Sequence, residues 1–348
     1  MGIGGSALTV KKPQKTTLID TFSEGYAAVN RRPWLVLVPI LLNLYLWFGV
    51  QLSFGPLIND LHTTLQRLQA SPSDQSELQA QYTDQLLALG QVDMRQPIAI
   101  LNFIPTLTLN SITAVSAEGD SAGFPTIQAM PRLIDPQRAD TIQIASIPAT
   151  LLVFLLINLI ALPLSAVFLT LLAEAVRGDP LVPRSGLRRS VRSTLAILGY
   201  VGVFGGVMLA LGAPFLFLAL LLIYFSPALG VLMFSLLAIL WFWARIYVGF
   251  APEAIVMSGI GPLQALKASY MIVRRNFWST LGFLALSYVI TIGASVIWMT
   301  LANSAIGLII AIIGSAYLSS GLLAARMAFY RERLRRWQSA VATVRPSA

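Results

Sequence analysis

Hydrophobic residues along this chain fall in uninterrupted runs of about 20 to 30 residues, separated by short polar or basic stretches. That is not the period-2 or period-3.6 striping of a soluble core; it is the pattern of helices that face lipid on all sides. At ~1.5 Å rise per residue, each run covers the ~30 Å hydrocarbon layer of a bilayer. The pattern predicts an all-α integral membrane protein with about six transmembrane helices, at 33–54, 142–173, 194–225, 229–250, 277–299 and 304–325. Pro148 and Pro163 are expected to kink the second span. Gly212-Ala213-Pro214 is expected to bend the third, because proline removes an internal hydrogen bond and clashes with the turn before it. Ser226-Pro227 turns the chain between the third and fourth spans.

The polar stretches fill in the rest. Residues 1–32 read as an N-terminal tail, 174–193 as a basic loop and 326–348 as a basic C-terminal tail. In 55–141, Leu57, Leu61, Leu65 and Leu68 recur at helical spacing. Leu78, Tyr82, Leu86 and Leu89 do the same after the break Ala70-Ser71-Pro72-Ser73-Asp74, which predicts an extracytoplasmic helical hairpin between spans 1 and 2. Residues 98–115 are apolar but carry Asn102, Pro105 and Asn110, polar or chain-breaking groups that are expensive against lipid. An interfacial or re-entrant segment is expected there rather than a seventh span. In 251–276, Gly261 and Pro262 open a helix whose face carries Leu263, Leu266, Tyr270, Val273 and Phe277, with Lys267, Arg274 and Arg275 off it; this predicts a helix lying in the interface.

Composition agrees with the pattern. Apolar residues make up 56% of the 348 and charged residues 11%, against roughly a quarter charged in soluble domains. The net charge of +9 would suit nucleic acid if the cations were gathered on a soluble domain. Instead 20 of the 24 Lys and Arg, but only 6 of the 15 acids, fall on the side of the spans that holds the N-terminus. By the positive-inside rule both termini are cytoplasmic, which places the protein in a cell (inner) membrane. The same cations predict contact with anionic membrane lipids and no nucleic acid. The first apolar run lacks a small-x-small cleavage pattern at its end and is expected to be an uncleaved anchor.

Candidate chemistry is sparse. Cysteine is absent and histidine occurs once, at His62, too few ligands for a conventional zinc site or a Cys-His or Ser-His pair with motif context. Asp, Glu and His are missing from all six span interiors, whereas proton relays and ion paths need ionisable groups there. Glu174, Glu253 and Arg245 stand at span ends, where Arg245 is expected to snorkel toward headgroups. No phosphate-binding glycine fingerprint occurs. No enzyme activity, metal or cofactor is expected. Asn43 and Asn158 lie within spans and are expected to hydrogen-bond between helices. Gly202 and Gly206, extended to Ala210, and the ladder Gly307, Ala311, Ser315 and Ser319 are expected helix-packing faces. Lys267, Arg274, Arg275, Arg331, Arg333, Arg335 and Arg336 are the candidate headgroup contacts. Tyr330, Leu334 and Trp337 share one side of the tail, which could thus lie in the interface.

Two stretches carry a resemblance. Glu253, Gly259, Gly261, Pro262, Ala265, Leu266, Ser269, Arg274, Asn276, Phe277 and Trp278 form a segment similar to one in bacterial polytopic proteins, among them the membrane domains found beside glycerophosphodiester phosphodiesterases. FSEGYAAVNRRPWLVLVPILLNLYLW, near the N-terminus, resembles the opening of uncharacterised bacterial membrane proteins. The resemblance implies a six-helix topology and no activity, since the phosphodiesterase barrel with its His and carboxylate clusters has no counterpart here. The expected function is that of a non-enzymatic scaffold, accessory or assembly subunit, with a membrane protein or a second copy as open partners. The alternative is a transporter or channel for an apolar or amphiphilic substrate, with a path lined by aromatic, Asn, Ser and Thr side chains.

Overall fold

A computed structural model describes residues 17–68, 87–107, 109–113, 126–129, 140–180 and 183–344. The described residues are mainly helical. In chain order they form α1 (Leu18–Arg31), a 3-10 turn (Pro33–Val36), α2 (Leu37–Phe48), β1 (Gln51–Ser53), α3 (Gly55–Leu68), α4 (Arg95–Ile98), β2 (Asn110–Thr113), β3 (Thr126–Ala129) and β4 (Thr141–Gln143). Seven helices follow: α5 (Ile147–Arg177), α6 (Pro183–Phe225), α7 (Pro227–Val248), α8 (Ala251–Ser258), α9 (Pro262–Arg275), α10 (Phe277–Leu301) and α11 (Ala305–Val344).

Five helical stretches are long and apolar enough to cross a membrane: Ile147–Arg177, Gly186–Leu222, Ala228–Ser258, Phe277–Leu301 and Ala305–Ser339. Their outward faces are lined with exposed Leu, Ile, Val and Phe, a surface that only lipid or another protein can cover. The first expected span is shorter than its hydrophobic run. Its helix covers Pro33–Phe48, about 24 Å at 1.5 Å per residue. Gly49 closes it with its N–H on the Tyr45 carbonyl, and the next residues pair as β1 with β4, Gln51 opposite Thr141 and in parallel. That pairing draws the exit of α2 to the entry of α5. It also puts strand at the borders of the 55–141 loop, which was expected to be a helical hairpin, and the antiparallel pair β2–β3 adds strand beyond that hairpin. The first arm of the expected hairpin is α3; most of the second lies outside the described residues.

Prolines start helices more than they kink them. Pro148, Pro227 and Pro262 each occupy the first turn of their helix, where the missing N–H costs nothing. Pro163 and Pro214 remain internal. The basic loop is largely absorbed into α6. The expected interfacial helix is two, broken at Gly259, which adopts φ 64°. The C-terminal tail does not separate from the last span but continues it as α11, about 60 Å long.

The N-terminal tail contains an amphipathic helix, α1, opened by a capping box in which Thr17 and Asp20 bond each other's backbone N–H. Those hydrogen bonds from Thr17 hold the Asp20 carboxyl below its ordinary value. α1 packs along α11 at glycines: a Cβ on Gly25 would overlap the Ala325 backbone, and one on Gly321 would overlap the Tyr26 ring. Tyr26 donates to the Leu318 carbonyl at 3.2 Å. Burial, and then the neighbouring Tyr317, push the Tyr26 hydroxyl up to about 12. The core beside this contact is a run of stacked rings, Phe22 on Phe283 at 4.9 Å, Phe283 on Phe329 at 4.8 Å and Phe329 on Phe250 at 5.7 Å.

Residues 98–107 leave α4 in a turn and pass between α2 and α5 as irregular chain. Outside a helix, their backbone groups need partners from elsewhere, and three buried side chains supply them. Asn158 accepts from Leu101 N–H at 2.9 Å and donates to the Ile98 carbonyl at 2.8 Å. Ser165 accepts from Phe103 N–H at 2.9 Å. Asn43 accepts from Leu107 N–H at 2.6 Å and donates to the Pro105 carbonyl at 3.3 Å. Asn102 turns its own carbonyl oxygen to Ile104 N–H and to the Ser165 hydroxyl.

Candidate functional site

The cationic end of α5, the C-terminal end of α8 and the arginines midway along α11 meet in one place. Arginines there close helix ends that are not their own. The last carbonyls of a helix lack intrahelical donors and carry the negative end of its dipole. Arg177, at the end of α5, donates to the Val256 and Met257 carbonyls of α8 at 3.0 and 3.1 Å. Arg331 of α11 donates to the Val176 carbonyl at 2.6 Å and pairs with Glu24 of α1. Arg326 donates to the Gly249 carbonyl at 2.7 Å and pairs at 2.8 Å with Glu253, which is 3% exposed. Arg32 reaches the Asp179 carbonyl.

Between α5, α6 and the end of α8 these groups frame a cleft of about 300 Å³. Arg177, Asp179, Arg189 and Arg192 supply its charge, Ser193 a buried hydroxyl, and Ile255 to Ile260 its apolar wall. Arg177 is held on Asp179 at 2.7 Å; Arg189 spans Glu174 at 3.3 Å and Asp179 at 3.8 Å. Arg192 is exposed and makes no hydrogen bond or ion pair among the described residues. The cleft therefore holds three guanidiniums against one lining carboxylate and is suited to an anion. None of its residues belongs to the headgroup set expected from sequence. Their signal, the arginine cluster of 174–193, was visible, but not which of its members would face a cavity.

The expected headgroup residues divide. Lys267, Arg274, Arg275, Arg335 and Arg336 are exposed, Arg336 in an i, i+4 pair with Glu332. Arg331 and Arg333 turn toward protein: Arg331 as above, and Arg333, 9% exposed, with its Nη2 on Ser279 Oγ at 2.7 Å and its guanidinium over the Phe329 ring. Arg245 is exposed, and Glu253 takes Arg326 as its partner. On α9 the protein-facing stripe is Ala265, Ser269, Ile272 and Val273, leaving Leu263 and Tyr270 of the expected face outward. Ser269 donates to the Tyr247 carbonyl and accepts from Phe250 N–H, fastening α9 to the α7–α8 junction.

The packing glycines also divide. Ala311 is wholly buried and Ser315 nearly so; at Gly307 an added Cβ would overlap the Leu301 carbonyl. Gly202 and Gly206 face open space, with no atom of the described residues within 4 Å of a built Cβ, so this GxxxG pair meets no neighbour among the described residues. His62 sits on α3 against Gln66. Among the described residues no three His, Asp or Glu side chains gather as a metal site would require.

Five apolar spans, an irregular segment held between two of the helices and a basic end define a polytopic α-helical membrane protein. Residues 98–331 match the family described as a domain of unknown function, DUF7847, and the chain belongs to that family. No curated protein and no solved structure matches the chain.

Proposed function

We propose that the protein is a non-enzymatic accessory or scaffold subunit of a cell membrane that binds anionic headgroups at its basic, cytoplasmic end. The observation that carries this reading is the Arg177–Arg189–Arg192 cleft, where cations outnumber carboxylates and Arg192 has no partner among the described residues. In the proposed topology both termini are cytoplasmic, and the Pro33–Phe48 helix supplies a sixth crossing, short enough to need a locally thinned bilayer or cover from its neighbours. That arrangement is also the one implied by the likeness of 253–278 to membrane domains beside glycerophosphodiester phosphodiesterases.

The transporter reading draws on residues 98–107, because broken backbone within a bundle is a device of transporters. Here the backbone groups of that segment are spent on Asn43, Asn158 and Ser165, which favours a structural plug over an open path. The test is retention of phosphatidylglycerol against phosphatidylcholine by the purified protein, measured by native mass spectrometry. Each cation near an anionic leaflet is worth about 1 kcal/mol, so Arg189→Gln with Arg192→Gln should weaken anionic-lipid retention by roughly 30-fold. Unchanged retention overturns the proposal.

A further inference from the structure

A second, narrower slot opens between the end of α9 and the last turns of α11, about 20 Å³ in volume. Met271, Ile272 and Leu334 make it apolar; Arg275, Arg333 and Trp337 are its polar lining. Among the described residues, the Nε–H of Arg333 and the indole N–H of Trp337 are buried without a hydrogen-bond partner. Buried donors are rarely left so, because each forfeits its hydration without a replacement. The Arg275 guanidinium stands 5.6 Å from the Trp337 ring centroid. Among the described residues neither Arg275 nor Arg333 has a carboxylate within 4 Å. Asn276 offers its amide N–H elsewhere, to the Ile272 carbonyl.

A water would fit this volume and could accept from both donors, but it would bring no charge to the buried Arg333, which has Glu332 as a more distant charge partner and no carboxylate in contact among the described residues. A buried unpaired cation is costly, and a negatively charged oxygen answers both the charge and the open donors. We propose that the slot between α9 and α11 is an oxyanion site: Arg333 Nε–H and Trp337 Nε1–H together hold one phosphate oxygen, with Arg275 adding its charge from the rim. The apolar walls Met271 and Leu334 suit the oxygen of an anionic lipid at the membrane surface, and free phosphate presents the same oxygen. The site deepens the reading of the basic end and rests on it, but uses none of the cleft's residues.

The test follows the indole N–H resonance of Trp337 in the full-length ¹⁵N-tryptophan-labelled protein, in phosphatidylcholine nanodiscs, assigned by its loss in Trp337→Phe. One arm adds phosphatidylglycerol to the discs; the other adds inorganic phosphate. A saturable downfield shift in the first arm alone identifies the lipid, and one in the second identifies free phosphate; either supports the site. Arg333→Lys, which lacks the Nε–H donor, and the exposed-residue variant Arg275→Gln should each raise the midpoint at least tenfold. Arg189→Gln with Arg192→Gln should leave the Trp337 response intact, so failure of the cleft and failure of the slot are separable. No shift in either arm, or the same midpoint in both variants, overturns the proposal.

Discussion

Among the described residues, four helix ends are closed by arginines from other elements: α2 by Arg95, α5 by Arg331, α7 by Arg326 and α8 by Arg177. Arg95 is the most deeply placed. It donates to the Tyr45 and Leu46 carbonyls, stands 5.1 Å from the Tyr45 ring centroid and pairs with Asp93 at 2.7 Å, both side chains being almost wholly buried. Removing one partner of a buried pair strands the other charge, at about 3–5 kcal/mol. Arg95→Met should therefore lower the detergent unfolding midpoint markedly, while Arg274→Gln, an exposed change, should leave it within about 0.5 kcal/mol. Equal effects would remove the structural role assigned to Arg95. In the sequence Arg95 is an isolated cation on the sparsely basic side of the spans. Nothing in its spacing shows that fifty residues earlier a helix ends with carbonyls in need of a donor.

At the scale of elements, small residues separate by what they face. The ladder on α11 and the α1 contact are closed surfaces: Gly25 lies against the Ala325 backbone and Ala311 is fully buried. The GxxxG pair of α6 is open. Gly25→Leu and Ala311→Leu should each cost ~1 to 3 kcal/mol or more through overpacking, whereas Gly206→Leu should be nearly neutral for the monomer and even improve helix propensity. The measurement is thermal stability of the three variants in one detergent. If Gly206→Leu were as damaging as Ala311→Leu, a partner must cover the α6 face. The motif is the same to the eye in both helices; sequence registers small side chains at helical spacing, not whether a second backbone lies opposite. For the same reason α1 reads as a polar tail, since only its fit against α11 turns an amphipathic pattern into a docked helix.

At the scale of the whole molecule, the irregular segment 98–107 joins α2 to α5. Its exposed amides and carbonyls are tolerable within a bundle because Asn43, Asn158 and Ser165 answer them. Asn158→Leu keeps the volume but leaves Leu101 N–H and the Ile98 carbonyl without their partner, a loss of about 1–3 kcal/mol per stranded group. Amide exchange of 98–107 should then accelerate while α10 and α11 stay protected. Exchange that remains slow at 98–107 would mean that apolar packing, not these hydrogen bonds, holds the segment.

The sequence by itself determined the class of this protein and the location of its long apolar helices. Those properties follow from local quantities: hydropathy summed over about 20 residues, proline at helix starts, and the charge of each flank. It also marked 98–115 as unfit to be a span, because Asn and Pro carry that cost wherever they stand. Only the tertiary structure decided where α2 stops, which arginines close helix ends and which face a cavity, and which glycines meet a neighbour. Each of these depends on a partner tens to hundreds of residues away: β4 for β1, Val256 for Arg177, Ala325 for Gly25. The energy of such a contact belongs to the pair, and neither residue's own surroundings in the chain record it.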